Sequence, residues 1–217
     1  MTRLSESQRE SLKAAVSKYH EALPGSEAEE YLSSRGLTGF DEVDKYRLGY
    51  VNDPLPEHEK HRGKLVIPYL RWHPRYGWTC VSLRFRAIDG SKPKYASMAG
   101  DRPRLYNTQA LNAPSTEVCI AEGELDALTA TLAGMPTVGV PGATLWQDHW
   151  TELFRGYRTV HVVTDGDEAG EKLGKHLAKQ LSNARVVECP PGEDINSLYT
   201  KHGEERLEKL WTTTTHQ

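Results

Sequence analysis

Residues 117–126 read EVCIAEGELD and residues 159–170 read TVHVVTDGDEAG, and these two stretches decide the fold. Each opens with a short apolar run of the length and β-branched content of a fully buried strand, stops at an acidic residue, and passes into a helical pattern. A third run, ARVVEC over 184–189, leads into PPGEDINSL over 190–198. Between the runs lie ELDALTATLAG, then PTVGV and QDHWTELFRG, then EAGEKLGKHLAKQLS. In the last of these Ala169, Leu173, Leu177 and Leu181 recur every four residues, with Glu171, Lys172, Lys175 and Lys179 on other faces. Strands alternating with helices predict a parallel sheet covered by helices from residue 114 to 217.

Upstream the character differs. Ser5-x-x-Gln8 and Ser26-x-x-Glu29 each have the form of a capping box. Leu12, Val16, Tyr19 and Leu23 share one helical face, and Gly36 suits the left-handed position that closes a second helix carrying Tyr31 and Leu32. NDPLPEHEKHRG over 52–63 has no periodicity and reads as a surface loop or hinge. KLVIPYLRW and GWTCVSLRFRAI, separated by HPRYG and followed by DGSKP, predict an antiparallel sheet over 64–106. The expected fold class is mixed α/β, with a basic α+β subdomain over 1–113 and a helix-covered parallel sheet over 114–217.

Composition narrows the function. The 217 residues are 37% hydrophobic and 26% charged, an ordinary globular balance. No stretch is apolar enough to span a membrane, and MTRLSESQRESLK lacks the apolar core of a signal peptide, so a cytoplasmic address is expected. Cys80, Cys119 and Cys189 are widely spaced, which argues against a disulfide framework and against structural zinc. The net charge of −3 conceals an asymmetry: residues 60–110 carry eleven Lys or Arg against two Asp, a charge of +9, which leaves −12 for the rest. A basic segment beside an acidic one suits a metal-dependent enzyme acting on a polyanion.

In open parallel sheets, ligands bind beyond the carboxyl ends of the strands. Glu122 stands directly after EVCIA, with Asp126 one turn further on the same helical face. Asp165-Gly166-Asp167 follows TVHVVT, and Glu193-Asp194 follows ARVVEC. Acids at helix N-termini are favoured by capping and by the helix dipole whether or not they catalyse anything. Acids after two or three neighbouring strands exceed what capping alone requires. Such carboxylates would repel one another without a cation between them, and Mg²⁺, a hard ion with oxygen ligands, fits. An EF-hand loop starting at Asp165 fails, because Ala169 and His176 would fall at ligand positions. A D-x-D-x-T phosphatase signature fails at Ala169, and GVPGAT lacks the spacing of a dinucleotide fingerprint.

AEGELDALT, VVTDGDEAG and PPGEDINSL together resemble, in order and interval, the motifs of the Toprim domain shared by primases, topoisomerases and some nucleases. YLSSRGL with YRLGY, then GKLVIPYLR, SLRFRAI, KPKYAS and RLYN, resemble the preceding part of the RNA polymerase domain of DnaG-type primases of bacteria and phages. The resemblance covers about residues 30–202. It implies a DNA primase core that makes short RNA primers from ribonucleoside triphosphates on a single-stranded DNA template. Catalytic acids would be Glu122, Asp165 and Asp167, supported by Asp126 and Asp194 in holding Mg²⁺ or Mn²⁺. It places Arg86 and Lys94 on template or nucleotide phosphates, with Arg84, Lys92, Arg102 and Arg104 as neighbours, and Tyr95 as a base-stacking ring. Asn196 departs from the pattern, where a second acid is common, as does Ser97, where Asn is common. The cysteine spacing and the roughly fifteen residues after YTKHG lead one to expect neither the family's zinc-binding module nor its helicase-binding region in this chain. The expectation is a minimal core, a fragment, or a partner to a replicative helicase and a separate zinc-binding module in a bacterial or phage-infected cell. A Toprim nuclease and a non-catalytic single-strand-binding replisome module are the alternatives.

Overall fold

The computed structural model describes residues 4–38 and 41–212, and its contacts divide the chain into two units at Arg102/Pro103. In the first unit, Ser5 accepts from the Gln8 amide and Gln8 answers at the Ser5 amide, so the box caps helix α1 (Glu6–Glu21). Helix α2 (Glu27–Ser34) starts at Ser26, which accepts from the Glu29 amide, while the Glu29 carboxylate reaches the Gly25 amide rather than that of Ser26. Gly36 takes φ +66°, the left-handed conformation expected after the helix. A short helix α3 (Asp41–Asp44) and strand β1 (Gly49–Tyr50) follow.

Strands β2 (Leu65–His73) and β3 (Gly77–Arg86) form a long hairpin, and β4 (Tyr95–Ser97) completes an antiparallel sheet in the order β1-β2-β3-β4. Pro68 sits inside β2 because β1 pairs only with Leu65 and Val66, which leaves that side of β2 an open edge. Leu12, Ala15, Val16 and Tyr19 of α1 pack on Val66, Cys80, Leu83 and Phe85 of the sheet. Residues 52–63 form the largely exposed loop that their composition suggests, but no division of the chain falls there. His58 and His61 are buried in that segment: the His61 ring stacks on Phe85 at 3.7 Å between centroids, and His58 Nδ1 lies 2.8 Å from the Tyr19 hydroxyl. Ring stacking and one hydrogen bond take in two histidines that a hydropathy pattern counts as polar.

The second unit begins earlier than residue 114. Tyr106 exchanges backbone hydrogen bonds with Gly139, tying residues 103–113 to the parallel sheet rather than to the basic subdomain. That sheet is built from β5 (Glu117–Ala121), β6 (Thr137–Gly139), β7 (Thr159–Thr164) and β8 (Ala184–Glu188), all parallel, in the order β6-β5-β7-β8. Helix α4 (Glu124–Leu132) joins β5 to β6, and α5 (Glu168–Gln180) joins β7 to β8. Leu173, Leu177 and Leu181 are buried against Val160 and Val162, the core expected from their four-residue spacing. Helices α6 (Ile195–His202) and α7 (Glu204–Thr212) end the described chain. The fold class is the mixed α/β expected: a parallel sheet flanked by helices, preceded by an antiparallel unit.

A candidate metal site at the switch point of the parallel sheet

The chain leaves β5 toward β6 on one side and leaves β7 toward β8 on the other, so the carboxyl ends of these adjacent strands form a topological switch point. Ala121 pairs with Val163, which brings Glu122 beside the turn that carries Asp165. Glu122 Oε1 accepts from the Asp165 amide at 3.1 Å. Gly123 makes the exit from β5 at φ +143°, a backbone conformation that disfavours any side chain. Asp126, 8% exposed, lies one turn into α4.

Three of the acids also have an ordinary structural duty. Asp167 caps α5, accepting from the amides of Ala169 and Gly170, both at 2.9 Å. Asp194 caps α6 in a capping box with Ser197. Asp126 Oδ1 accepts from the Asn196 amide at 3.0 Å, and Asn196 Nδ2 donates to Thr129 Oγ1 at 2.8 Å, which pins α6 to α4. A fully buried Asn196 is therefore a donor at the position where the resemblance leads one to expect a second acid.

Electrostatics show that the acids share one neighbourhood. Burial, and then the charges of Asp167 and Asp126, push the Glu122 carboxyl up to about 7 despite its bond from the Asp165 amide. Burial and the charges of Asp165, Asp126 and Asp194 likewise push the Cys189 thiol upward. Among the described residues no group of three or more His, Cys, Asp and Glu side chains is arranged to hold an ion by itself. The five acids thus do not form a closed cage. An all-oxygen donor set with Glu122 held against its own charge fits a hard divalent ion that takes one or two carboxylates and completes its shell with water and substrate phosphate. A cleft of about 720 Å³, lined by Ala143, Trp146, Asp167, Lys172 and His176, opens beside Asp167 and is within the size range of small-molecule sites.

Most of the named basic residues belong to the first unit. Arg86 is only 5% exposed. Its Nε donates to the Tyr31 hydroxyl at 2.8 Å and its Nη1 to the Tyr95 hydroxyl. Arg84 and Arg86 lie over the Tyr95 ring at 4.4 and 4.9 Å, with the Lys94 ammonium at 6.0 Å. Tyr95 is thus engaged by cations rather than presented as a bare ring for bases. Lys92, Lys94 and Arg102 are exposed, and Arg104, half-buried, belongs to the second unit. Sequence reasoning missed Tyr31: its contact with Arg86 spans 55 residues, and no local pattern signals it.

Residues 119–199 match the family described as Toprim-like. The Gene 57 protein of Mycobacterium phage D29 is 53% identical over 147 residues, covering 68% of this chain and 97% of that protein. The DNA primase of Staphylococcus epidermidis is 26% identical over 239 residues, covering 88% of this chain, and the chain spans only 39% of that primase. Among solved structures, a DNA primase domain from Pseudomonas aeruginosa superposes with a TM-score of 0.76 at 23% identity, covering 95% of this chain and 78% of that one. The chain shares the fold of that primase domain, and its second unit is Toprim-like. The chain belongs to the same family as the Gene 57 protein of Mycobacterium phage D29, carries a Toprim-like domain, and has DNA primases among its homologues.

Proposed function

We propose that this chain is the catalytic core of a primase, joining ribonucleoside triphosphates into short RNA on a single-stranded DNA template. The observation that carries this reading is the Glu122 carboxylate at hydrogen-bond distance from the Asp165 amide across the switch point, in a chain of primase kinship. Glu122, Asp165 and Asp167 would hold Mg²⁺ or Mn²⁺, with Asp126 and Asp194 shaping the edge. Such an ion, when bound, would offset the charge of a triphosphate and of the reacting phosphoryl group. The residues of the chain supply placement: Arg86, fixed between two phenols, and the exposed Lys94 and Lys92 meet phosphates, while Arg84, Arg102 and Arg104 add positive charge. Positioning and charge neutralisation are the main sources of rate in phosphoryl transfer.

A replicative helicase and a separate zinc-binding module are the partners such a core would draw on. Short RNA made from ribonucleotides on a single-stranded template with Mg²⁺ or Mn²⁺, and lost in Asp165→Ala, is the expected result. Equal synthesis by Asp165→Ala overturns the assignment of the acids. Degradation of DNA with metal alone would instead identify a Toprim nuclease. Salt-sensitive binding without synthesis, surviving loss of Asp165 and Asp167, would identify a binding module.

A further inference from the structure

The β2–β3 hairpin ends in an aromatic and cationic tip that neither the carboxylates nor the Arg86 cluster uses. Trp72 and Trp78 are directly paired across the strands, edge to face, with ring centroids 5.7 Å apart. They are 62% and 53% exposed, and Tyr76 at the turn is 39% exposed. These three rings are the majority of the exposed large hydrophobic side chains among the described residues. The guanidinium groups of Arg9 and Arg75 lie over the Tyr76 ring at 4.8 and 5.3 Å. A cross-strand aromatic pair adds only about 0.2–1 kcal/mol to a hairpin, and the same unit buries Tyr19 and Phe85 completely rather than leaving them in solvent. Clustered exposed rings mark a surface that meets something.

Charge and size select the occupant. Residues 60–88 contain seven Lys or Arg and no Asp or Glu, so the strands leading to and from the tip favour a polyanion. Three rings at a turn fall well short of the roughly 800 Å² per partner that a stable protein interface buries. Stacking of unpaired bases needs only ring faces, tolerates any sequence, and gains from neighbouring guanidinium groups. We propose that the hairpin tip is a stacking platform for single-stranded nucleic acid, with bases on Trp72 and Trp78 and phosphates met by Arg71 and Arg75. Arg86 lies eight residues along β3 from Trp78, about 25 Å at the rise of a strand, so the platform is a second contact, separate from the Arg86 cluster. It deepens the proposed template-binding function and rests on that reading.

The test is binding of labelled oligo(dT) to the full chain at one fixed salt concentration, without nucleotides or metal. Trp72→Ala/Trp78→Ala should raise Kd by at least about fivefold. Trp72→Phe/Trp78→Phe, which keeps the ring faces, should stay close to the unsubstituted chain. An abasic oligonucleotide of the same length should bind the unsubstituted chain and the double alanine variant equally. An unchanged Kd in the double alanine variant overturns the platform and leaves a protein partner as the reading of the tip. If Lys94→Ala then still weakens binding, the template reading survives alone. No binding of oligo(dT) by the unsubstituted chain overturns both.

Discussion

A Cβ on Gly170 would lie 2.6 Å from Glu122 Oε1 and inside contact distance of the Asp165 carbonyl oxygen. The absence of a side chain in the first turn of α5 is what lets the carboxylate after β5 reach the turn after β7. In an ordinary exposed helix Gly→Ala gains about 1 kcal/mol. Here the methyl group must displace the carboxylate, the turn or the helix. Gly170→Ala should therefore lower primer synthesis by about 10²-fold, the scale of a displacement near 1 Å. Steady-state synthesis alongside a melting curve checks this, and full activity in the variant would contradict it.

Asn196 ties α6 to α4 through Thr129, and both residues are buried. Asn196→Ala removes that bond and should cost about 1–3 kcal/mol. In a chain of this size the loss corresponds to a fall in Tm of roughly 2–12 °C. The Asn196 amide still reaches Asp126 in the variant, so activity measured well below Tm should fall less than stability does. A Tm equal to that of the unsubstituted chain would contradict the tie.

Stability should fall on mild acidification. Burial, reinforced by Lys64, Lys60 and His58, pushes the His61 imidazole down to about 4 from its ordinary 6.5, and burial also lowers His58. Between pH 6.5 and 4 the unfolded chain binds protons that the folded chain refuses. Stability is then present above about pH 6.5, is lost as pH falls toward 4, and changes no further from this source below that. His61→Phe keeps a ring against Phe85 and removes the titration. Thermal melts across this window should show a shallower acid slope in the variant, and identical slopes would contradict the assignment.

Tyr31→Phe retains the ring beneath Arg86 at 5.4 Å but deletes the acceptor for its Nε. A buried guanidinium donor left without its partner costs about 1–3 kcal/mol, readable as a lower midpoint in urea denaturation at an unchanged slope. Template affinity should weaken as well, because Arg86 loses one of the two hydroxyls that fix it. Unchanged values of both quantities would contradict this role for Tyr31.

The parts of this fold that a sequence reader can see are those with short-range causes. Ser5 and Gln8 lie three residues apart, Leu173, Leu177 and Leu181 recur once per helical turn, and both are realised in the structure. The parallel sheet is legible because apolar runs are punctuated by acids and glycines. The contacts that place the candidate site are long-range. Gly170 reads only as a residue opening the next helix until Glu122 is seen against it, and Asn196 reads as a lost acid until Thr129 and Asp126 are seen around it. The burial of His58 and His61 has no periodic signal, since stacking on Phe85 and bonding to Tyr19 are tertiary events. The start of the second unit hides for the same reason, in the pairing of Tyr106 with Gly139.

The central claim is that acids from two neighbouring strands act together on one divalent ion. Binding of Mn²⁺, followed by electron paramagnetic resonance on the full chain, tests it most directly. The account predicts saturable binding that is lost in Asp165→Ala and at least about tenfold weaker in Glu122→Gln, a difference of about 1.4 kcal/mol, with both variants folded by circular dichroism. Undiminished Mn²⁺ binding in either variant would contradict it.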